Sequence, residues 1–145
     1  SQDILTNLPD TKTAKTTLEN EAKKIDDQLQ TMQVELQDKY RVIMENMQLA
    51  NEAPEKWSDA ILADKQQEFQ SLQERIERFQ QNAQVSLQQK QQDLYKPITV
   101  KVDSAIKKVA TQGGYIYVFD KNGVLFINES LSTDLTSEVK KELGI

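Results

Sequence analysis

From Leu18 onward, apolar residues return every three or four positions with no Gly or Pro to interrupt them: Leu18, Ala22, Ile25, Leu29, Met32, Leu36, Tyr40, Ile43, Met47 and Ala50. That stripe is heptad-like, with one extra four-residue step between Leu36 and Tyr40 that reads as a stutter. It predicts one long amphipathic helix. The run ends at Ala53-Pro54, because proline fits a first helical turn and not a helix interior. A second stripe then follows: Leu62, Lys65, Phe69, Leu72, Ile76, Phe79, Ala83, Ser86 and Lys90. Two long helices joined by a few residues form an antiparallel hairpin, each seam covering the other. The Gln-rich tract from Gln66 to Gln92 keeps this helical period, so it reads as helix surface and not as low complexity.

About 40 residues per arm, at 1.5 Å per residue, gives an arm roughly 60 Å long. An arm of that length must project from the rest of the chain. Residues 18–95 are therefore read as the arm, with its tip near 51–57, and residues 1–17 and 96–145 as a body. At the start, residues 1–7 read as a short lead-in, and Pro9-Asp10 as a helix start. Pro97 should kink or break the helix where arm meets body. Beyond it, Ile98, Val102, Ala105, Ile106 and Val109 form a further stripe that Gly113-Gly114 ends. Thr136 reads as the N-cap of a closing helix, with Glu138 in the first turn, Leu135, Val139 and Leu143 on one face, and Gly144 as its stop.

Between those helices lies GGYIYVFDKNGVLFIN, residues 113–128, whose strand-forming runs flank an Asn122-Gly123 pair able to supply the positive φ of a tight hairpin turn. The expectation is a β-hairpin over residues 115–128. Both of its faces are apolar: Tyr115, Tyr117 and Phe119 lie on one side, Ile116 and Val118 on the other, and Leu125 and Ile127 oppose Val124 and Phe126. A lone two-stranded hairpin is marginal in water. One face can take the chain's own terminal helices, while the other face and the open edges need further chains. Ile116, Val118, Phe119, Val124 and Phe126 are accordingly the candidate oligomerisation residues. The fold class is α+β and mostly α.

Composition narrows the chemistry. The chain has no Cys and no His, which removes thiol nucleophiles, imidazole acid–base chemistry, disulfides and most zinc sites. Gly-rich phosphate loops are also missing from the sequence. Catalytic residues, metal sites and cofactors are therefore not expected. The adjacent Asp26-Asp27 point apart on a helix and make a poor cation site. With 18 Lys+Arg against 23 Asp+Glu, the net charge is −5. That balance argues against nucleic acid and anionic membranes as partners. No apolar run approaches the roughly 20 residues that span a bilayer.

Some apolar residues fall off the seams. Val34, Val42 and Leu49 share one face of the first helix, and Val85 lies off the second stripe; a repeated apolar stripe facing solvent fits a binding surface. Trp57 at the tip is either a cap that closes the hairpin end or an anchor for a bound chain.

The order of parts resembles the Skp/OmpH-like periplasmic chaperone family. The resemblance is carried by TLENEAKKIDDQLQTMQVELQDK (Thr17 to Lys39), YKPITVKVDSAIKKVATQGGYIYVFDKNGVLFIN (Tyr95 to Asn128) and the closing DLTSEVKKEL. It implies a homotrimer whose three bodies share a small β-barrel, with three helical arms enclosing a cavity. Unfolded outer-membrane proteins would be held there without ATP, in the periplasm, and Val34, Val42, Leu49, Val85 and Trp57 become the candidate client contacts. The family pattern places a signal peptide and a first apolar strand ahead of the segment that begins at Ser1. The chain departs from well-known members in charge: residues 10–95 carry eleven basic and sixteen acidic side chains, where those members have cationic arms. Strong binding to lipopolysaccharide is therefore not expected. The alternative to a holdase is a structural or adaptor coiled coil that docks one folded partner.

Overall fold

A computed structural model describes residues 2–145. It contains four α-helices: α1 (Gln2–Asn7), α2 (Pro9–Met47), α3 (Asp59–Gln112) and α4 (Thr136–Leu143). A single 3-10 turn, Lys121–Gly123, lies between α3 and α4. The chain divides into two compact units, one of Ser1–Leu18 with Gln89–Ile145, and one of Glu19–Gln88.

The first unit is built on Ile4, Leu8, Ala14, Ile98, Val102, Ala105, Val109 and Val139, with Leu135 and Leu143 packed at its margin. Its lead-in is helical over Gln2–Asn7. Ile4 and Leu8 stand one turn apart and bury together, Leu8 to 1% exposure. The Asn7 side-chain amide donates back to the Asp3 carbonyl at 2.7 Å, which satisfies one end of a helix too short to persist alone. α1 packs on α4. Three ion pairs staple the unit: Asp3 with Lys140 at 2.6 Å, Asp10 with Lys101 at 2.7 Å, and Lys108 with Glu142 at 2.6 Å.

The break expected at Pro97 does not occur, and α3 runs through it without interruption. Proline removes one backbone bond there, yet Ile98 and Val102 just beyond it are buried in the core, and packing outweighs local preference. α3 stops where the glycines expect it to. Gly114 takes φ 70°, and the Tyr115 N–H closes the turn on the Ala110 carbonyl at 3.0 Å, a Schellman stop. α4 ends the same way at Gly144, with φ 77°. The start of α4 differs from expectation by one residue. Thr136 is the first helical residue, Leu135 holds the N-cap position, and the Asp134 carboxylate accepts the Thr136 N–H at 2.9 Å.

Residues 115–128 form no strand pair in the single chain, so the expected hairpin ladder is absent. The turn explains part of this. Asp120 accepts the Asn122 N–H on its side chain and the Gly123 N–H on its carbonyl, giving a right-handed 3-10 turn. Gly123 does not adopt positive φ. Such a turn splays the flanking segments instead of twisting them together.

In the second unit, α2 and α3 lie antiparallel. Glu35 meets Arg75 while Lys39, further along α2, meets Glu68, earlier on α3. The α3 seam of Leu72, Ile76 and Ala83 is buried as the stripe predicts, but it continues through the half-buried Leu87 rather than the exposed Ser86. On α2 the extra four-residue step does not fall between Leu36 and Tyr40; two successive four-residue steps fall instead at Glu21, Ile25 and Leu29, with Ala22 exposed. From Leu36 the covered positions are Lys39, Ile43 and Asn46, a regular 3-4 spacing. Tyr40 and Met47, which the apolar stripe favours, are exposed. Tyr40 instead lays its ring beside Phe69, centroids 5.9 Å apart. Lys39 holds its seam position because Glu68 accepts its ammonium at 2.9 Å.

Candidate functional site

Two surfaces stand out, one in each unit. In the first unit, the extended segment after α3 leaves its apolar side chains in solvent. Ile116 is 86% exposed, Phe119 72% and Phe126 80%, with Val118 and Val124 also exposed. The structure does not bring these five candidate oligomerisation residues together. The Tyr117 and Phe119 rings stack at 6.1 Å, the one aromatic pairing within the segment. An apolar run this long and this open exceeds the scattered exposure of an ordinary surface.

The second surface is the closed end of the α2–α3 hairpin. α2 ends at Met47, turns at Ala50–Ala53 and Ala53–Lys56 follow, and Ser58 starts α3 by accepting the Ile61 N–H. Pro54 therefore sits in the connecting turns and not in the first turn of α3. Asn46, only 7% exposed, ties the end together. Its Nδ2 donates to the Glu55 carbonyl at 2.9 Å, and its Oδ1 accepts the Trp57 N–H at 3.1 Å. The Lys56 ammonium donates to the carbonyls of Asn46, Met47 and Leu49 at 3.0–3.1 Å, covering the open C-terminus of α2 where a cation is favoured.

Beside this knot lies a groove of ≈ 300 Å³. Val42, Ile43 and Trp57 supply its apolar lining, with Glu35, Asp38 and Lys39 from α2 and Lys65 and Glu68 from α3 along the rim. Glu68 takes hydrogen bonds from Lys39 and from Lys65, and those two cations hold its carboxyl below the ordinary range. Arg41 is shared by Glu45 and Asp38, which raise its pKa.

Of the candidate client contacts, Val34, Val42 and Val85 are exposed, Val85 at 66%. Leu49 is half-buried, not solvent-facing as its stripe implies, because the chain turns back over it after Met47. Trp57 is half-buried and lines the groove. Asn46 and Lys56 were missed from sequence. The signal for Asn46 is its place on an unbroken heptad continued from Leu36, a polar side chain in the seam two turns before the proline break.

Among the described residues, no helix is long and apolar enough to cross a membrane. No curated protein matches the chain by sequence. The family described as outer membrane protein (OmpH-like) matches residues 1–143, and the chain belongs to that OmpH-like family.

Proposed function

We propose that the chain is an ATP-independent periplasmic holdase that associates as a trimer and holds unfolded outer-membrane proteins between its helical hairpins. The observation that carries this reading is membership of the OmpH-like family across residues 1–143. Two features support it. The open apolar run containing Ile116, Phe119 and Phe126 needs cover, and copies of the same segment offer the strand partners it lacks. The second unit exposes Val34, Val42 and Val85 together with Tyr40, Met44, Met47 and Ile61, a surface able to hold apolar side chains without a fixed partner shape.

The test is dilution of a urea-denatured β-barrel membrane protein into buffer with and without the chain, in the absence of nucleotide. A holdase suppresses the rise in turbidity and does so for several unrelated unfolded chains. Failure to suppress it, together with tight binding to one folded protein, belongs to an adaptor and overturns the proposal.

A further inference from the structure

The chain has no Cys, so its sulfur is confined to three thioethers, Met32, Met44 and Met47. They stand in different surroundings. Met32 is half-buried on the covered seam of α2, between Leu29 and Leu36. Met44 is 36% exposed and Met47 48%. Each of these two directly follows a covered residue, Ile43 and Asn46, just as Tyr40 follows Lys39. Tyr40, Met44 and Met47, spaced four and three residues apart, therefore share one solvent-facing flank of the helix. Their side chains are open while the methionine backbones are engaged. The Met44 carbonyl accepts the Gln48 N–H at 3.2 Å, and the Met47 carbonyl accepts the Lys56 ammonium at 3.0 Å.

We propose that Met44 and Met47 form an oxidation site, and that their conversion to sulfoxide by hydrogen peroxide switches off apolar capture at this end of the hairpin. This inference rests on the holdase reading and names a regulation of the surface it uses. In the step, a thioether sulfur attacks one oxygen of the peroxide. The O–O bond breaks, an S–O bond forms, and the proton of the transferred oxygen passes to the departing hydroxide, which leaves as water. Sulfur loses two electrons and the peroxide gains them. A polarizable, adaptable apolar group becomes a polar one that gains little by covering an apolar client side chain. The bonds from Gln48 and Lys56 run to backbone carbonyls and not to sulfur, so the hairpin keeps its fold. With no thiol of its own, the chain needs an external dithiol reductase for reversal.

The experiment exposes the full chain to hydrogen peroxide and then removes the peroxide with catalase. One portion is digested for mass spectrometry, and the rest is tested for turbidity suppression. An added oxygen should appear at Met44 and Met47 several-fold faster than at Met32. Half-maximal suppression should then require about tenfold more protein, at unchanged far-ultraviolet helicity. Met44→Leu with Met47→Leu keeps the surface apolar and should suppress turbidity equally before and after peroxide. Met44→Gln with Met47→Gln should show the oxidised behaviour without peroxide, and methionine sulfoxide reductase with a dithiol should restore the oxidised parent. Oxidation of Met32 at the same rate, lost helicity, or equal loss of suppression in the Leu variant each overturns the proposal. The parent before peroxide separates the two readings. If it suppresses turbidity and oxidation changes nothing, only this site falls; if it fails to suppress, the holdase reading falls and takes this one with it.

Discussion

Asn46 holds Trp57: its Oδ1 accepts the Trp57 backbone N–H at 3.1 Å, and its Nδ2 binds the carbonyl of Glu55, two residues earlier. A polar side chain thus occupies a seam position that the heptad assigns to an apolar one. Replacing it with Leu gives a more apolar seam, yet strands a buried donor and acceptor at a cost of about 1–3 kcal/mol. Asn46→Leu and Asn46→Ala should both lower the thermal midpoint measured by circular dichroism and shift Trp57 emission to the red. A stabilised Asn46→Leu would mean that the connecting turns do not depend on this contact.

Acid should loosen α4 before it melts the long helices. A hydrogen bond from Lys140 holds the Asp3 carboxyl below its ordinary range. A lowered folded-state pKa means that the pair stabilises the fold above the ordinary carboxylate value, and that this contribution is lost as pH falls through the lowered one. Both groups are solvent-accessible, so the effect is small and salt-sensitive. Protection of the α4 amides relative to their intrinsic exchange rate should fall below about pH 4, and Asp3→Asn should show that lower protection already at neutral pH with less further change on acidification. Exchange in α4 that is indifferent to Asp3→Asn removes the pair from the docking of this helix.

Client capture should rest on exposed valines. Replacing Val34, Val42 and Val85 together with Ser touches no buried core residue, so thermal stability should move by no more than about 0.5 kcal/mol while turbidity suppression weakens. Salt separates apolar from electrostatic capture. Residues 10–95 carry an excess of five acidic side chains, so an acidic unfolded client is repelled at long range, and salt screens that repulsion without weakening apolar burial. Affinity for an acidic client should hold or rise from low to moderate salt. Release by salt would assign capture to a local basic patch instead.

Association should depend on the segment after α3. If the proposed assembly buries Val118, Val118→Asp places an unpaired ion there at a cost of several kcal/mol. The mass by sedimentation should fall to that of one chain while far-ultraviolet helicity stays. An unchanged mass would move the interface elsewhere.

Much of this was legible in the sequence because long helices repeat their signal many times. The heptads located α2 and α3, Pro9 marked the start of α2, and the glycine stops fell at Gly114 and Gly144. The OmpH-like family was readable in the order of parts. Errors arose where a single residue decided between neighbouring registers. Tyr40 and Met47 outscore Lys39 and Asn46 on hydrophobicity alone, but the sequence does not reveal that Glu68 and the Glu55–Trp57 backbone lie opposite to satisfy the polar pair. α1 is too short to show a period, and its stability comes from Ile4 and Leu8 meeting residues more than 90 positions away. The strand propensity of residues 115–128 is real, yet pairing needs a partner and a turn of matching twist, and the Asp120 carboxylate favours a different turn.

The most direct test of the central claim is the light-scattering mass of the complex formed with one unfolded β-barrel client. Three chains of 16.6 kDa would give about 50 kDa, and the account predicts that mass plus one client. A complex containing a single chain, or a three-chain species that elutes without client, would contradict it.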